Sequence, residues 1–238
     1  MKKIVVTGGS GRFGTHLKNM KSNHKIIFPT KKQMNILNHK AMTNYLKKTK
    51  PDIVIHLAGL SRPMDIHEKK IDESINLNII GTANVTRSCS LLKIKLIYFS
   101  TNYVYPGKTG NYKENDSLKP FNNYAWSKLG GECSVRLYKN SLILRICMTE
   151  KPFVHKKAFA NVKTSFMYHD EVAKIIFKLL NKKGIINIGG KAQHIYNFAK
   201  KDNNKVQKIY QNKRLKNKLP FDSSLNIKKL KEIIKIKS

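Results

Sequence analysis

Three side chains have the types and spacing for moving a proton on or off an oxygen atom. Tyr124 and Lys128 lie four residues apart in Tyr124-Ala125-Trp126-Ser127-Lys128. The spacing predicts a helix there, and positions four apart share a helix face. A phenol ionises at roughly pH 10, and an ammonium beside it favours the phenolate and lowers that value. Such a Tyr can exchange a proton with a carbonyl or alcohol oxygen near neutral pH. Thr101 offers a second hydrogen bond to the same oxygen. It follows the apolar run Leu96-Ile97-Tyr98-Phe99, which has the composition of a buried strand, so Ser100-Thr101-Asn102 falls at that strand's carboxyl end.

The elements that must position this set begin at the start of the chain. Lys2 to Thr7 reads as a buried strand. Gly8-Gly9-Ser10-Gly11-Arg12-Phe13-Gly14 follows at once, then a helical stretch to about Met20. Glycines at 8, 11 and 14 permit a tight turn, close approach of backbone to a pyrophosphate, and close packing of helix on strand. The helix start adds oriented N–H groups. This context points to a dinucleotide site rather than a merely structural turn. His24 to Phe28 reads as the second strand, ending at Pro29-Thr30-Lys31-Lys32. A site that prefers NAD often carries an acid here for the ribose 2′-hydroxyl, and none is present. Arg12, with Lys31 and Lys32, is expected to meet a 2′-phosphate. NADP(H) is favoured, with NAD(H) left open. Pro51 to Leu57 reads as turn and third strand. Its end, Leu57-Ala58-Gly59, would lie close to a cofactor. His56, within that apolar run, reads as a satisfied core histidine rather than a catalytic one.

A helix is expected over His39 to Lys48, a long one over Asp65 to Ser90, and a strand over Ser141 to Ile146. Cys147 to Ser165 reads as irregular. Asp170 is expected to cap a helix ahead of Val172 to Leu180, and Gly184 to Gly190 reads as a short strand and turn. Ser223 or Ser224 is expected to cap a last helix, Leu225 to Ile236. Strands alternating with helices argue for a parallel sheet covered on both faces.

The chain's 238 residues, 40% of them apolar, suffice for one sizeable domain. The net charge is +33, yet 41 of the 47 basic residues are lysine. Readers of nucleic acid tend to use arginine for bidentate contacts. With the abundance of Ile and Asn, the charge reads as an AT-rich coding bias plus attraction for a phosphorylated ligand. Weak binding to polyanions at low salt is expected; specific nucleic-acid binding is not. The three scattered cysteines suggest a reducing compartment. No apolar run could span a bilayer and nothing reads as a signal peptide, so the expectation is a cytoplasmic protein without a membrane partner.

With these residues in hand, the chain resembles the extended short-chain dehydrogenase/reductase family, most of all its dTDP-4-dehydrorhamnose reductase branch. The resemblance rests on Ser100 to Tyr105, Gly107, Asn111-Tyr112, Glu114, Pro120 and Tyr124 to Glu132. Asn78 to Val85, Leu144-Arg145 and Asn187 to Gly190 are weaker echoes. It implies a doubly wound, Rossmann-like α/β fold. Residues 1–146 would form the dinucleotide-binding core, and 147–238 a small, reduced substrate lobe interleaved with the core's end. It implies that Tyr124 donates or accepts the proton, Lys128 tunes it and holds the nicotinamide ribose, and Thr101 orients the substrate oxygen. Asn78 joins Gly8, Gly11, Arg12, Phe13, Gly14, Thr30, Leu57, Ala58 and Gly59 in the implied cofactor site. The implied reaction is hydride transfer from NAD(P)H to a nucleotide-linked keto-sugar. An epimerase with bound NAD, or a cofactor-binding regulatory or structural subunit, are the alternatives. A homodimer is compatible with either. Two departures stand out. Asn102 occupies a position where the branch commonly has Asp, and Asn102-Tyr103 replaces the Asp-Glu pair of dehydratases. The run from Arg145 to His169 is short.

Overall fold

The structure is a computed structural model that describes residues 1–212 and 219–235. Its centre is a six-stranded, all-parallel sheet. In chain order the strands are β1 (Lys3–Thr7), β2 (Lys25–Ile27), β3 (Ile53–His56), β4 (Lys95–Thr101), β5 (Ser141–Ile146) and, after an excursion, β10 (Gly184–Ile188). Their order in space is β2-β1-β3-β4-β5-β10. The strands are apolar nearly throughout because both faces are buried, as a parallel sheet requires. Ile4, Val6, Ile55 and Ile97 enter one core; Val5, Val54, Leu96 and Ile143 alternate with them into the other. Helices α1 (Arg12–Lys18), α7 (His169–Ile176) and α9 (Lys228–Lys235) cover the first face. The second is covered by α2 (His39–Thr49), α5 (Gly81–Leu91) and α6 (Asn123–Arg136). This is the expected Rossmann-like, doubly wound arrangement.

The chain leaves β1 in one direction for β2 and in the other for β3, so the carboxyl ends of β1 and β3 flank a crevice, the place where such sheets bind ligands. The glycine turn closes one side of it. Gly8 has φ +71°, and a Cβ there would sit 2.6 Å from the backbone nitrogen of Ala58. A Cβ on Gly14 would sit 2.5 Å from the Gly8 carbonyl oxygen. Neither position admits a side chain without moving backbone.

The long helix expected over residues 65–90 is broken. Short helices α3 (Ile66–Lys69) and α4 (Ile71–Ser74) meet at Lys70, whose ψ of 63° is not helical, and a π-helical turn, Ile75–Ile80, precedes α5. The stretch expected to be irregular carries short strands. β6 (Met148–Thr149) pairs with β9 (Met167–Tyr168), β7 (Lys157–Phe159) with β12 (Gln207–Ile209), and β8 (Lys163–Thr164) with β11 (Gln193–His194). Two or three residues are too few to display a strand's alternation. With α8 (Ile195–Ala199) they enclose a separate apolar cluster that includes Phe153, Val162 and Phe198.

Two capping expectations are corrected. Asp170 lies inside the first turn of α7, and the carboxylate of Glu171 instead accepts from the Tyr168 N–H at 2.8 Å. The last helix starts at Lys228, where the Asn226 side chain accepts from the Lys228 N–H at 3.0 Å. Ser223 and Ser224 serve other partners, Thr164 and the Asn111 N–H. The expected end of that helix, Ile236, lies outside the described residues.

Candidate active site

Helix α6 begins where the Asn122 side chain accepts from the Ala125 N–H at 2.9 Å. That cap places Tyr124 in the first turn and Lys128 in the second. The helix is anchored one turn later by a buried ion pair. Glu132 meets Arg145 at 2.6 Å, with side-chain exposures of 0% and 1%. Glu132 also accepts from the Ser100 hydroxyl at 2.9 Å, which ties α6 to the tip of β4 beside Thr101. Arg145 in turn donates to the Tyr105 hydroxyl and the Glu114 carbonyl. Asn187 joins them through Tyr105 at 2.9 Å. Residues that carried the resemblance thus form one buried polar network, and its effect is to hold the strand tip against the helix.

A cleft of about 810 Å³ opens above the crevice. Thr101, Tyr124 and Lys128 line it together with Arg12, Phe13, Leu57 and Gly59. The Thr101 hydroxyl accepts from the Tyr103 N–H at 3.3 Å. Burial raises the Tyr124 phenol's pKa above its ordinary value, against the pull of Thr101, Arg62 and Arg12. The cations that act on the phenol here are Arg62 and Arg12. The Lys128 amine lies 4.3 Å from the centroid of the Tyr98 ring. Burial lowers its pKa to about 7, with Glu132 acting in the opposite sense. Near neutral pH its charge is therefore partial, where the sequence alone suggests a fixed cation.

The other expected site residues divide. Gly8, Gly11 and Gly14 form the turn, and Ala58 packs against Gly8, its N–H donating to the Thr7 hydroxyl at 3.1 Å. Asn78 is fully buried and reaches the cleft only through others. Its amide accepts from the Leu60 N–H at 2.7 Å and donates to the Leu60 carbonyl at 2.9 Å and to Ser127 at 2.8 Å. Asn78 therefore fixes the loop after β3 and does not present itself to a ligand. Thr30 is exposed, and both its N–H and its hydroxyl bond the Gln33 side chain, at 2.9 and 3.1 Å. Arg12 turns into the cleft, where Ser61 and Glu150 hold it, and not toward the end of β2. The basic side chains exposed just past that end are Lys31 and Lys32. His56 is the satisfied core residue expected. Its ring nitrogens meet Thr7 at 2.8 Å and Thr82 at 3.1 Å, and burial, then Lys128, lower its pKa to about 3.

Residues that sequence reasoning missed also face the cleft: Ser61, Arg62, Tyr103, Glu150 and His169. They sit on four separate segments, only Ser61 and Arg62 being neighbours in sequence, so no local pattern joins them. One signal was available. In a chain this rich in lysine, an arginine marks a place where the planar fork matters, and Arg12, Arg62 and Arg145 all lie at the cleft or beneath it.

A parallel sheet with a glycine turn at its switch point defines a Rossmann-like domain. Residues 1–162 match the family described as RmlD substrate binding domain, and the chain belongs to that family. It is similar to the spore coat polysaccharide biosynthesis protein SpsK of Bacillus subtilis (strain 168), 34% identical over 149 residues, covering 61% of this chain and 52% of that protein. It is also similar to methionine adenosyltransferase 2 subunit beta of Danio rerio, 30% identical over 155 residues, covering 61% and 47%. The chain spans about half the length of these curated relatives. Its fold is that of dTDP-4-dehydrorhamnose reductase of Bacillus anthracis str. Ames, crystallised with NADP. The TM-score is 0.87 at 24% identity, covering 97% of this chain and 92% of that one. Among the described residues no helix is long and apolar enough to cross a membrane.

Proposed function

We propose that the protein is an NAD(P)H-dependent reductase of a nucleotide-linked keto-sugar, working in polysaccharide biosynthesis in the cytoplasm. The observation that carries this reading is the convergence of Thr101, Tyr124 and Lys128 on one cleft wall beside the glycine turn. The residues present fit a dinucleotide: the turn is closed to any Cβ at Gly8 and Gly14, leaving backbone free to approach a pyrophosphate. When bound, the nicotinamide supplies hydride to the carbonyl carbon. Tyr124 donates a proton to the carbonyl oxygen, and its raised pKa keeps it a donor at neutral pH. Thr101 orients the same oxygen. Lys128 gains charge as an anionic ligand enters and then holds the ribose. NADP(H) is preferred, supported by the lack of any acid at the end of β2 and by the exposed Lys31 and Lys32 there.

The test is loss of reduced-nicotinamide absorbance with dTDP- and UDP-linked 4-keto-sugars, using NADPH and NADH in parallel. Tyr124→Phe should lower turnover by roughly a hundred- to ten-thousand-fold while leaving dinucleotide affinity near normal. Undiminished turnover removes Tyr124 from the role. A second reading, a cofactor-binding regulatory or structural subunit, is supported by the similarity to a protein named as the beta subunit of methionine adenosyltransferase 2. Tight dinucleotide binding with no turnover on any keto-sugar would select it. The homodimer reading rests on the exposed apolar side chains of Trp126 on α6, of Leu137 just past its end, and of Ile71 and Ile75. Sedimentation of the wild type and of Trp126→Glu would decide it.

A further inference from the structure

Glu150 is the one carboxylate among the described residues that line the cleft, and it faces two guanidinium groups. Its Oε1 accepts from Arg12 Nη1 at 3.4 Å and from Arg62 Nη1 at 3.1 Å. Arg12 also donates to the Ser61 hydroxyl at 3.2 Å. The three charges come from three parts of the chain: the glycine turn, the loop after β3, and the first segment of the lobe. The glutamate side chain is 17% exposed, and the arginines keep 45% and 39% of theirs open. Burial works to raise the carboxyl's pKa, but a backbone hydrogen bond, Arg62, His169 and Arg12 outweigh it, so Glu150 stays ionised.

A plain ion pair joining lobe to core would need one arginine. Here one carboxylate meets two planar forks, each with five N–H donors, and most of those donors remain open to the cleft. Lysine fills most of the chain's other basic positions, yet both of these are arginine, the side chain suited to bidentate recognition of phosphate. We propose that Arg12 and Arg62 form a clamp for a diphosphate entering the cleft, and that Glu150 is its resident counter-ion, displaced when the diphosphate binds. One carboxylate satisfies a fraction of the pair; two linked phosphoryl groups match it charge for charge.

The inference deepens the proposed reductase and rests on that reading for its ligand, since both the cofactor and a sugar nucleotide carry a diphosphate. The experiment is calorimetric titration at low salt of wild type, Glu150→Gln, Arg62→Gln and the double variant, each with dTDP and with ADP-ribose. Glu150→Gln should bind one of the two several-fold tighter. Arg62→Gln, a change in an exposed loop, should weaken that same ligand by about tenfold or more, and the double variant should lose the gain. A response to dTDP assigns the clamp to the substrate; a response to ADP-ribose assigns it to the cofactor. If Glu150→Gln, with an unchanged melting temperature, tightens neither ligand, or Arg62→Gln leaves both affinities intact, the clamp is overturned. Turnover is read separately: an inactive wild type with a working clamp would remove the reductase and leave the clamp standing.

Discussion

The buried pair under the active helix invites a double-mutant cycle. Glu132 and Arg145 are 0% and 1% exposed, joined at 2.6 Å, with a second contact from Arg145 Nε to Oε2 at 3.3 Å. Removing one partner leaves the other ionised and enclosed, which typically costs about 3–5 kcal/mol. Glu132→Leu adds the loss of the Ser100 hydrogen bond, and Arg145→Met frees the Tyr105 hydroxyl and the Glu114 carbonyl. Each single variant should therefore fall in that range. For a chain of this size the melting temperature drops by about 2–4 °C per kcal/mol, so a fall of about 6–20 °C is expected. Removing both ions also removes the desolvation penalty of each. The double variant should cost less than the larger single effect, giving a coupling of several kcal/mol. Urea unfolding at neutral pH measures all four corners. Single costs that simply add, to within about 0.5 kcal/mol, would refute the argument that the ions matter chiefly to each other.

Other outcomes follow from the same geometry. Gly8→Ala requires a side chain at φ +71° and 2.6 Å from the Ala58 nitrogen; it should cost about 2 kcal/mol or more and weaken dinucleotide binding, both readable in one thermal-shift series. Asn78→Ala strands the N–H and carbonyl of Leu60, at about 1–3 kcal/mol for each unsatisfied group, and should raise the exchange rate of the Leu60 amide. His56 has a folded pKa of about 3 against about 6.5 when unfolded. The unfolded chain therefore binds the extra proton between these values, and stability should fall on acidification through that window, by up to about 1.4 kcal/mol per pH unit. His56→Asn should flatten that slope. Lys128, at about 7 when folded against 10.5 ordinarily, gives stability that rises from pH 7 toward 10.5, and Lys128→Met should reduce the rise, leaving the part that Lys95, at about 8, contributes.

Much of the frame was legible because it is local. β1, β3, β4 and β5 each carry three or four consecutive apolar residues, and the glycine turn follows β1 without a gap. Thr101, Tyr124 and Lys128, singled out by type and spacing, line one cleft. The electrostatics were not legible. Spacing put an ammonium and a phenol on one face, but depth decides which of them stays charged, and burial moved both pKa values away from the simple expectation. The break at Lys70 and the π-helical turn were hidden because apolar positions continue through them. Asn78 looked like a ligand contact because its other role, bracing Leu60, depends on a loop eighteen residues away. Arg62 and Glu150 meet only through the tertiary fold.

The way the chain threads between sheet and lobe limits how the cleft can open. It leaves the sheet after β5, returns for α7 and β10, leaves again, and comes back for α9, whose Leu230 is buried in the sheet's core. The two exits are stitched together, with Cys147 N–H donating to the Ile188 carbonyl at 2.9 Å and Gly190 N–H to the Ser165 carbonyl at 2.9 Å. A lobe sewn on by several seams cannot swing like a door on one hinge. A protease that nicks one connection should leave both pieces together.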